Sequence, residues 1–441
     1  MILKEILDRL IWSLNQRTKI LKTLFFCLIF LSVAIDAKLK IEISQGSKDL
    51  PKIAIVPFEN TKTIKISLSH LIEENLTLFG EFKATPKNEM LSFPSSEDNF
   101  FYRDWKILKV DYAVVGSFKE ISGSNIFIEY FVFNVPLKKL ILKGDISGDI
   151  NEFDQISKVI SNRTYKAITG LDGIFNTKLA YVLNPDKGVY KICVSDIDGS
   201  NEQVLFESTA PLMSPSWSSD IKKLAYVSFE KGYPEIYMQD LFSGNRESIK
   251  TLGLSNSAPV WSPDNKKLAF VMSMSGNPDI YIYNLKNNKI SRHTTHYGID
   301  TEPAWSPNSK KLLFTSNRSG SPQIYELTIS SNRIKRITLD GDYNARASYF
   351  PNGKDIVLVH GNNGIFHIGT KNIRGRFINT ISKTTLDESP TISPNGNIII
   401  YATKNNSQGY LAGLTLDGKS KFRLPVKFGS VREPSWSPLT N

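Results

Sequence analysis

Cysteine is nearly absent: Cys27 and Cys193 are the two in 441 residues. Cys27 lies inside an N-terminal apolar run. A chain cleaved after that run keeps Cys193 alone, which excludes an intrachain disulfide and a Cys-based metal site. Histidine is scarce too, five in all, and the closest pair, His293 and His296, sits in a Thr-rich stretch without an obvious third ligand. There is no G-x-S-x-G elbow, and with three residues after Pro438 no downstream hydrolase domain is expected. Gly232, Gly244, Gly276 and Gly320 stand as isolated turn markers, not as a phosphate-binding loop. No apolar run is long enough to span a bilayer comfortably. The formal charge of +11 comes from scattered Lys and Arg without an aromatic-spaced basic cluster, which reads as a solvated surface and not a nucleic-acid site.

What is present is a repeat. Trp261-Ser262-Pro263-Asp264 returns as Trp305-Ser306-Pro307-Asn308 and Tyr349-Phe350-Pro351-Asn352 at steps of 44, then Ile392-Ser393-Pro394-Asn395 after 43 and Trp436-Ser437-Pro438 after 44. Trp217-Ser218-Ser219-Asp220 precedes Trp261 by 44. Ser-Pro-Asp-Asn suits a type I turn. A second marker follows each of the first five turns, as in Lys267-Leu268-Ala269-Phe270, and stands once ahead of the first Trp as Lys178-Leu179-Ala180-Tyr181, so both markers occur six times. A period of ~40–45 residues with several short strands means propeller blades. In the second repeat the strands are expected near Leu224–Phe229, Glu235–Asp240, Glu247–Thr251 and Ala258–Trp261. Missing helical periodicity and a proline inside every unit argue against helical repeats of similar period. The offset of the markers predicts a ring closed by mixing the two ends: the strand of Trp436 completes the blade begun at Lys178.

Residues 1–37 read as a signal peptide: Lys19 and Lys22, an apolar run from Leu24 to Ile35, then Asp36-Ala37. The mature chain is expected to begin at or near Lys38. Residues 38–170 carry no repeat and read as an α/β domain. Lys40-Ile41-Glu42-Ile43-Ser44 alternates like an edge strand, and Lys52 to Phe58 is a more buried one. Leu68, Leu71, Ile72, Leu76 and Phe79 fall on one helical face that Gly80 can end. Asp111–Gly116 and Asn125–Asn134 are strands. Ile150, Phe153, Ile156 and Ile160 mark a second helix, Pro86–Asp98 a surface loop, and Gly170–Asn176 a linker into a propeller spanning 171–441.

These segments together resemble the TolB family, periplasmic propeller proteins of the Tol–Pal system. Lys52-Ile53-Ala54-Ile55-Val56-Pro57-Phe58 is similar to that family's IAVVPF strand. Trp105 with Asp111-Tyr112-Ala113-Val114-Val115-Gly116 resembles its W…ADYVVVG segment, and the run Thr169 to Val182 its LTGE-GxF-TxIAYV junction. Ser219 for proline, Tyr349-Phe350 for Trp-Ser and Ile392 for Trp depart from the pattern and are expected to weaken those turns. The resemblance implies a periplasmic adaptor without catalytic activity or cofactor. It also implies the lipoprotein Pal and TolA as partners alongside other outer-membrane proteins, and roles in outer-membrane integrity, cell division and bacteriocin uptake.

The residues leading into each inner strand are the site candidates. Ser214, Ala258, Glu302, Arg346, Ser389 and Glu433 occupy equivalent positions, preceded by Met213, Ser257, Thr301, Ala345, Glu388 and Arg432. A calcium-dependent propeller hydrolase would need carboxylates here; Arg346 and Arg432 would compete with a hard cation. A mixed-charge rim on a repeating scaffold suits recognition of an asymmetric protein. Pal is therefore expected at a channel mouth formed by Ser257, Ala258, Thr301, Glu302, Arg346, Glu388, Arg432 and Glu433. These are read as surface-loop positions. The resemblance implies TolA on the mature N-terminus, Lys38, Leu39, Lys40, Ile41, Glu42 and Ile43. That alternating segment suits strand addition to a partner and equally an edge strand of its own domain. The alternative to an adaptor is a periplasmic propeller enzyme, either a metal-dependent hydrolase or a peptidase-like protein.

Overall fold

The computed structural model describes residues 39, 41–46, 49–58, 67–250, 255–274, 276–405, 408–424 and 429–439. The leader at 1–37, Lys38 and Lys40 lie outside the described residues. The described elements build a six-bladed β-propeller and a small α/β domain packed on it.

The α/β domain follows from its apolar spacing. Strands β2 (Lys52–Ile55), β3 (Lys83–Ala84), β4 (Tyr112–Ser122), β5 (Asn125–Asn134) and β6 (Lys139–Asp149) form one sheet in the order β3-β2-β4-β5-β6. β2 runs parallel to β3 and β4, and β4-β5-β6 is an antiparallel meander. Alternate residues Ala54, Val56, Ala113, Val115, Phe131 and Phe133 share a core with Phe100 and Trp105. Phe100 stacks on Phe133 with centroids 3.8 Å apart. Trp105 belongs to a short helix, α2 (Tyr102–Ile107), and α1 (Leu68–Thr77) packs beside α3 (Phe153–Thr169). The Ser67 hydroxyl accepts from the His70 amide at the start of α1, and Gly170 ends α3 at φ 78°. Asn75 of α1 donates to the Ser157 and Ser161 hydroxyls of α3, which pins one helix to the other in a buried setting. The stretch 86–98 holds a short helical turn and a buried Met90, so it is a packed cover and not merely a loop.

Each blade is built on four antiparallel strands in meander order from the channel outward; blade VI gains a fifth, and blade I takes its innermost strand from the end of the chain. Blade II, for example, comprises Leu212–Trp217, Lys223–Ser228, Glu235–Asp240 and Arg246–Ser248, close to the expected strands. Blade I closes the ring as the marker offset requires. Ser430–Trp436 pairs with Lys178–Asn184, placing Trp436 opposite Leu179. Apolar residues of neighbouring blades interlock, as Ala225, Val227 and Ile236 do with Trp261, Leu268 and Phe270. Two indoles stitch across blades: Trp217 Nε1 donates to the Ser435 carbonyl at 2.8 Å, and Trp305 Nε1 to that of Val260 at 3.2 Å.

The repeated turn explains itself chemically. The Ser262 carbonyl accepts from the Asn265 amide, and the Ser262 hydroxyl accepts from the Lys267 amide while donating to Asp264. Where Phe350 replaces serine in blade V, Asn352 substitutes: its Oδ1 accepts from the amides of Lys354 and Asp355 at 2.8 and 3.0 Å. That departure therefore leaves the turn's hydrogen bonds satisfied.

Segment β1 (Glu42–Gln45) corrects one expectation. It is not an edge strand of its own domain. It pairs antiparallel with Lys421–Leu424, making blade VI five-stranded, with all four residues exposed. Leu39 ahead of it is fully buried against Gly199, where an added Cβ would meet the Leu39 carbonyl oxygen at 1.9 Å.

The domains meet at the turn side of blades I and VI. Phe79 packs on Phe422, Trp436 and Phe175, so the linker at 170–176 is part of the interface. Lys158 of α3 is buried between Asp154 and Asp196, and Asp196 also holds Lys178. Glu81 accepts from the Tyr165 hydroxyl at 3.0 Å and from Asn397 Nδ2 of blade VI at 2.6 Å.

Candidate functional site: the mouth of the propeller channel

The six inner strands share one irregularity. Each has a register shift within its first half, between Met213 and Ser216, Ser257 and Val260, Thr301 and Ala304, Ala345 and Ser348, Glu388 and Thr391, Arg432 and Ser435. At each bulge a non-glycine residue takes the left-handed conformation: Ser214, Ala258, Glu302, Arg346, Ser389 and Glu433, with φ from 48° to 54°. Five of the six precede a proline, which brings no N–H to leave unpaired at the bulge. A bulge re-aims the side chain, and a left-handed non-glycine residue costs ~1–2 kcal/mol, so strain is concentrated at one ring of positions.

That ring lines a cavity of about 200 Å³ on the channel axis. Of the expected site residues, Ala258, Glu302, Arg346 and Glu433 line it, joined by Ser214 and Ser389. Glu388 instead lines an adjoining groove of about 380 Å³ with Tyr343, Phe366, Leu386 and Lys404. Ser257, Thr301 and Arg432 lie one step earlier, in ladder pairs with Val271, Thr315 and Val182. The Arg432 guanidinium lies over Tyr190 at 5.8 Å.

These are not free surface-loop residues, as the sequence suggested. They sit inside strands, and Glu433 is buried. The Glu302 carboxylate accepts from the Arg346 amide at 3.0 Å, from Arg346 Nε at 2.7 Å and from the Thr315 hydroxyl at 2.8 Å. The Glu433 carboxylate accepts from the Ser214 amide. In both cases a carboxylate satisfies the bulged amide of the next blade, and the two blades stand opposite each other across the ring. Arg346 also donates to the Ser389 hydroxyl. Burial works against its charge, but Glu302, Glu433 and Glu388 more than offset this and push its pKa up. The centre of the mouth is a hydrogen-bonded charge cluster in which one guanidinium, Arg346, stands among the carboxylates of Glu302 and Glu433.

Around it stand apolar side chains that the repeat pattern did not reveal. Tyr297 is 86% exposed and Leu339 70%, with Tyr233, Met274, Ile299, Ile365 and Leu386 also exposed. Six of them lie in the two sets of loops on the mouth side, those between second and third strands and those leading into the next inner strand, and Ile365 opens the third strand of blade V at the same end. The available signal was an isolated large apolar residue inside a polar, glycine-containing loop, as in His296-Tyr297-Gly298 or Thr338-Leu339-Asp340. The His293 and His296 rings take separate partners: His293 bonds Ser291 and Asn332, while His296 Nδ1 accepts from the Gly298 amide. Among the described residues, no group of three or more His, Cys, Asp or Glu side chains is placed to hold a metal ion. None of the described helices is long and apolar enough to cross a membrane.

Fold and mouth together define a closed six-bladed propeller with an appended α/β domain and an apolar-rimmed, charged channel entrance. The chain belongs to the TolB family. The family model for the TolB beta propeller domain matches residues 165–440, and that for the TolB amino-terminal domain matches 39–141. The Tol-Pal system protein TolB of Marinomonas sp. (strain MWYL1) is 51% identical over 426 residues, covering 95% of this chain and 98% of that protein. Its counterpart in Pseudomonas aeruginosa is 42% identical over 430 residues, covering 96% and 99%. The crystal structure of TolB from Acinetobacter baumannii superposes with a TM-score of 0.84 at 36% identity, covering 91% of this chain and all of that one.

Proposed function

We propose that this protein is a periplasmic, non-enzymatic adaptor of the Tol–Pal system, made from a precursor whose leader at 1–37 is removed, and that it holds the lipoprotein Pal at the channel mouth. The observation that carries this is the ring itself: six equivalent strained positions bear an irregular set of side chains, Ser, Ala, Glu, Arg, Ser and Glu, inside a rim of exposed apolar residues. A satisfied charged centre with an apolar surround fits a docking surface, where buried aromatic and aliphatic anchors supply affinity and charges supply selectivity. TolA would engage the segment Lys38 to Ile43. Within it Glu42 and Ile43 are exposed in β1, which has one open strand edge among the described residues, while Leu39 is buried and would anchor the segment. Such an adaptor ties envelope proteins together and supports outer-membrane integrity and constriction during division.

The test is binding of purified Pal to Tyr297→Ala, Leu339→Glu and Arg346→Gln variants, with thermal melts alongside. The two rim variants are expected to melt like the parent, since exposed substitutions usually change stability by about 0.5 kcal/mol or less. At least one should weaken Pal binding tenfold or more, a loss of ~1.4 kcal/mol or above. Unchanged affinity in all three, with folding intact, would move the Pal site to another face.

A further inference from the structure

The α/β sheet ends in a long open edge. Among the described residues, β6 pairs with β5 on one side and with no strand on the other. Its register with β5 is regular from Leu142 to Asp149, with the bulge confined to the neighbourhood of Ile141. Arg163 of α3 donates to the Asp145 carbonyl at 3.1 Å, which shows that this carbonyl points off the sheet. Because outward groups alternate along an antiparallel strand, Lys143, Asp145 and Ser147 direct their amides and carbonyls off the sheet edge, the Asp145 carbonyl being the one that Arg163 holds. An edge of this kind is a template for another strand unless something blocks it.

The side chains decide which strand fits. On the exposed face stand Lys143, Asp145 and Ser147; on the face toward α3 stand Leu142 and Ile146 about Gly144. Turned antiparallel about a two-fold axis through Gly144, this sequence is complementary to itself. Lys143 falls opposite the second copy's Asp145, Asp145 opposite its Lys143, and Leu142 opposite Ile146. Moving the axis by one residue to Lys143 or Asp145 puts like charges opposite each other, which is unfavourable. A lysine on an edge normally repels other chains, but here it selects one partner whose aspartate lies in register.

We propose that the outer edge of β6 is a self-association surface, and that two copies of this chain pair through Ile141–Ser147 in an isologous antiparallel dimer centred on Gly144. Two features limit its strength. Arg163 must swing off the Asp145 carbonyl, and Lys143 must share its ammonium with Glu129, now 3.2 Å away. Both side chains are exposed, so these contacts are made at the surface. The dimer is therefore weak and concentration-dependent. The α/β domain sits on the turn side of the propeller, so pairing through β6 leaves both channel mouths open. An assembly of two copies would then present two mouths, whatever they bind, and would gain avidity toward a surface bearing several partners.

The experiment is sedimentation equilibrium of the protein as recovered from the cell envelope, alone and in mixtures, with melts to confirm folding. The parent is expected to dimerise with concentration. Lys143→Asp and Asp145→Lys each place like charges across the two-fold and should each shift the midpoint by about tenfold or more. Mixed together, the two variants set an acidic pair on one copy against a basic pair on the other, and should recover parental association as a heterodimer. A parent that stays monomeric to several hundred micromolar overturns the proposal. So does dimerisation that both single variants leave unchanged, or a mixture that associates no better than its components.

Discussion

At the scale of single residues, the groups at the domain junction differ from those at the mouth in how they respond to pH. Glu81 is largely withdrawn from water. Burial, against the bonds from Tyr165 and Asn397, raises its pKa from the ordinary carboxylate range to about 7. A carboxyl whose folded pKa lies above its unfolded value adds stability that is complete below the unfolded pKa and lost as pH climbs through the folded one. The window is therefore from about 4.5 to about 7. Glu81→Gln keeps an acceptor for Asn397 and a partner for Tyr165 but cannot ionise. Relative to the parent it should gain ~2–3 kcal/mol between pH 4.5 and pH 8.5, flattening above neutrality. Urea unfolding of both proteins at the two pH values checks this, and parallel pH profiles would refute it. Asp196 behaves oppositely. Burial alone would raise it, but its bonds from Lys158, Lys178 and Asn201 hold it near about 2, so the junction keeps that ion pair across the physiological range. Single-residue chemistry of this kind was closed to sequence reading, because Glu81 and Asn397 are 316 positions apart.

At the scale of elements, the repeat made the propeller legible and the bulge did not. The Trp-Ser-Pro turn and the Lys-Leu-Ala-Phe strand each carry local chemistry that recurs, so blade number, strand order and even the offset closure could be read from spacing. A left-handed residue at Ala258 or Glu302 leaves no comparable local signature, since no glycine marks it. In the α/β domain the regular apolar faces of α1 and α3 were visible. β6 was missed because Gly144, Gly148 and the bulge near Ile141 break its alternation, and α2 because six residues give too little helical period. The placement of β1 was equally hidden: Glu42 meets Arg423 across a separation that no local pattern records. The bulges invite a direct test. Ala258→Gly removes the Cβ that disfavours the left-handed region, offsetting the entropy that glycine loses on folding, and should be neutral to stabilising by ~1 kcal/mol. Ala258→Val should lose more than ~1 kcal/mol, because a β-branched residue tolerates positive φ poorly. Chemical denaturation of the two variants decides it; equal effects would mean that the ring is not strained.

At the scale of the whole molecule, the ring is held shut by one strand from the far end of the chain. Ser430–Trp436 supplies the innermost strand of blade I, and three further contacts tie it to its surroundings. Trp217 Nε1 donates to the Ser435 carbonyl, Trp436 Nε1 donates to the Thr177 hydroxyl at 2.8 Å, and Glu433 satisfies the Ser214 amide. Trp436 also packs on Phe79, so the same strand reaches the α/β domain. Trp436→Ala alone should cost ~3–5 kcal/mol, the usual range for emptying a buried Trp site. Ending the chain at Gly429 removes the whole strand. It opens the edge of Lys178–Asn184, exposes the apolar faces of blades I and II, and leaves the Ser214 amide unpaired. The combined loss should exceed the ~5 kcal/mol at the lower end of typical domain stability. We therefore expect the truncated protein to lose its cooperative melting transition, with hydrogen-exchange protection falling at Leu179–Leu183 and across the neighbouring blades. A truncated protein that melts like the parent, with exchange at Leu179–Leu183 unchanged, would show that the propeller does not depend on this closure.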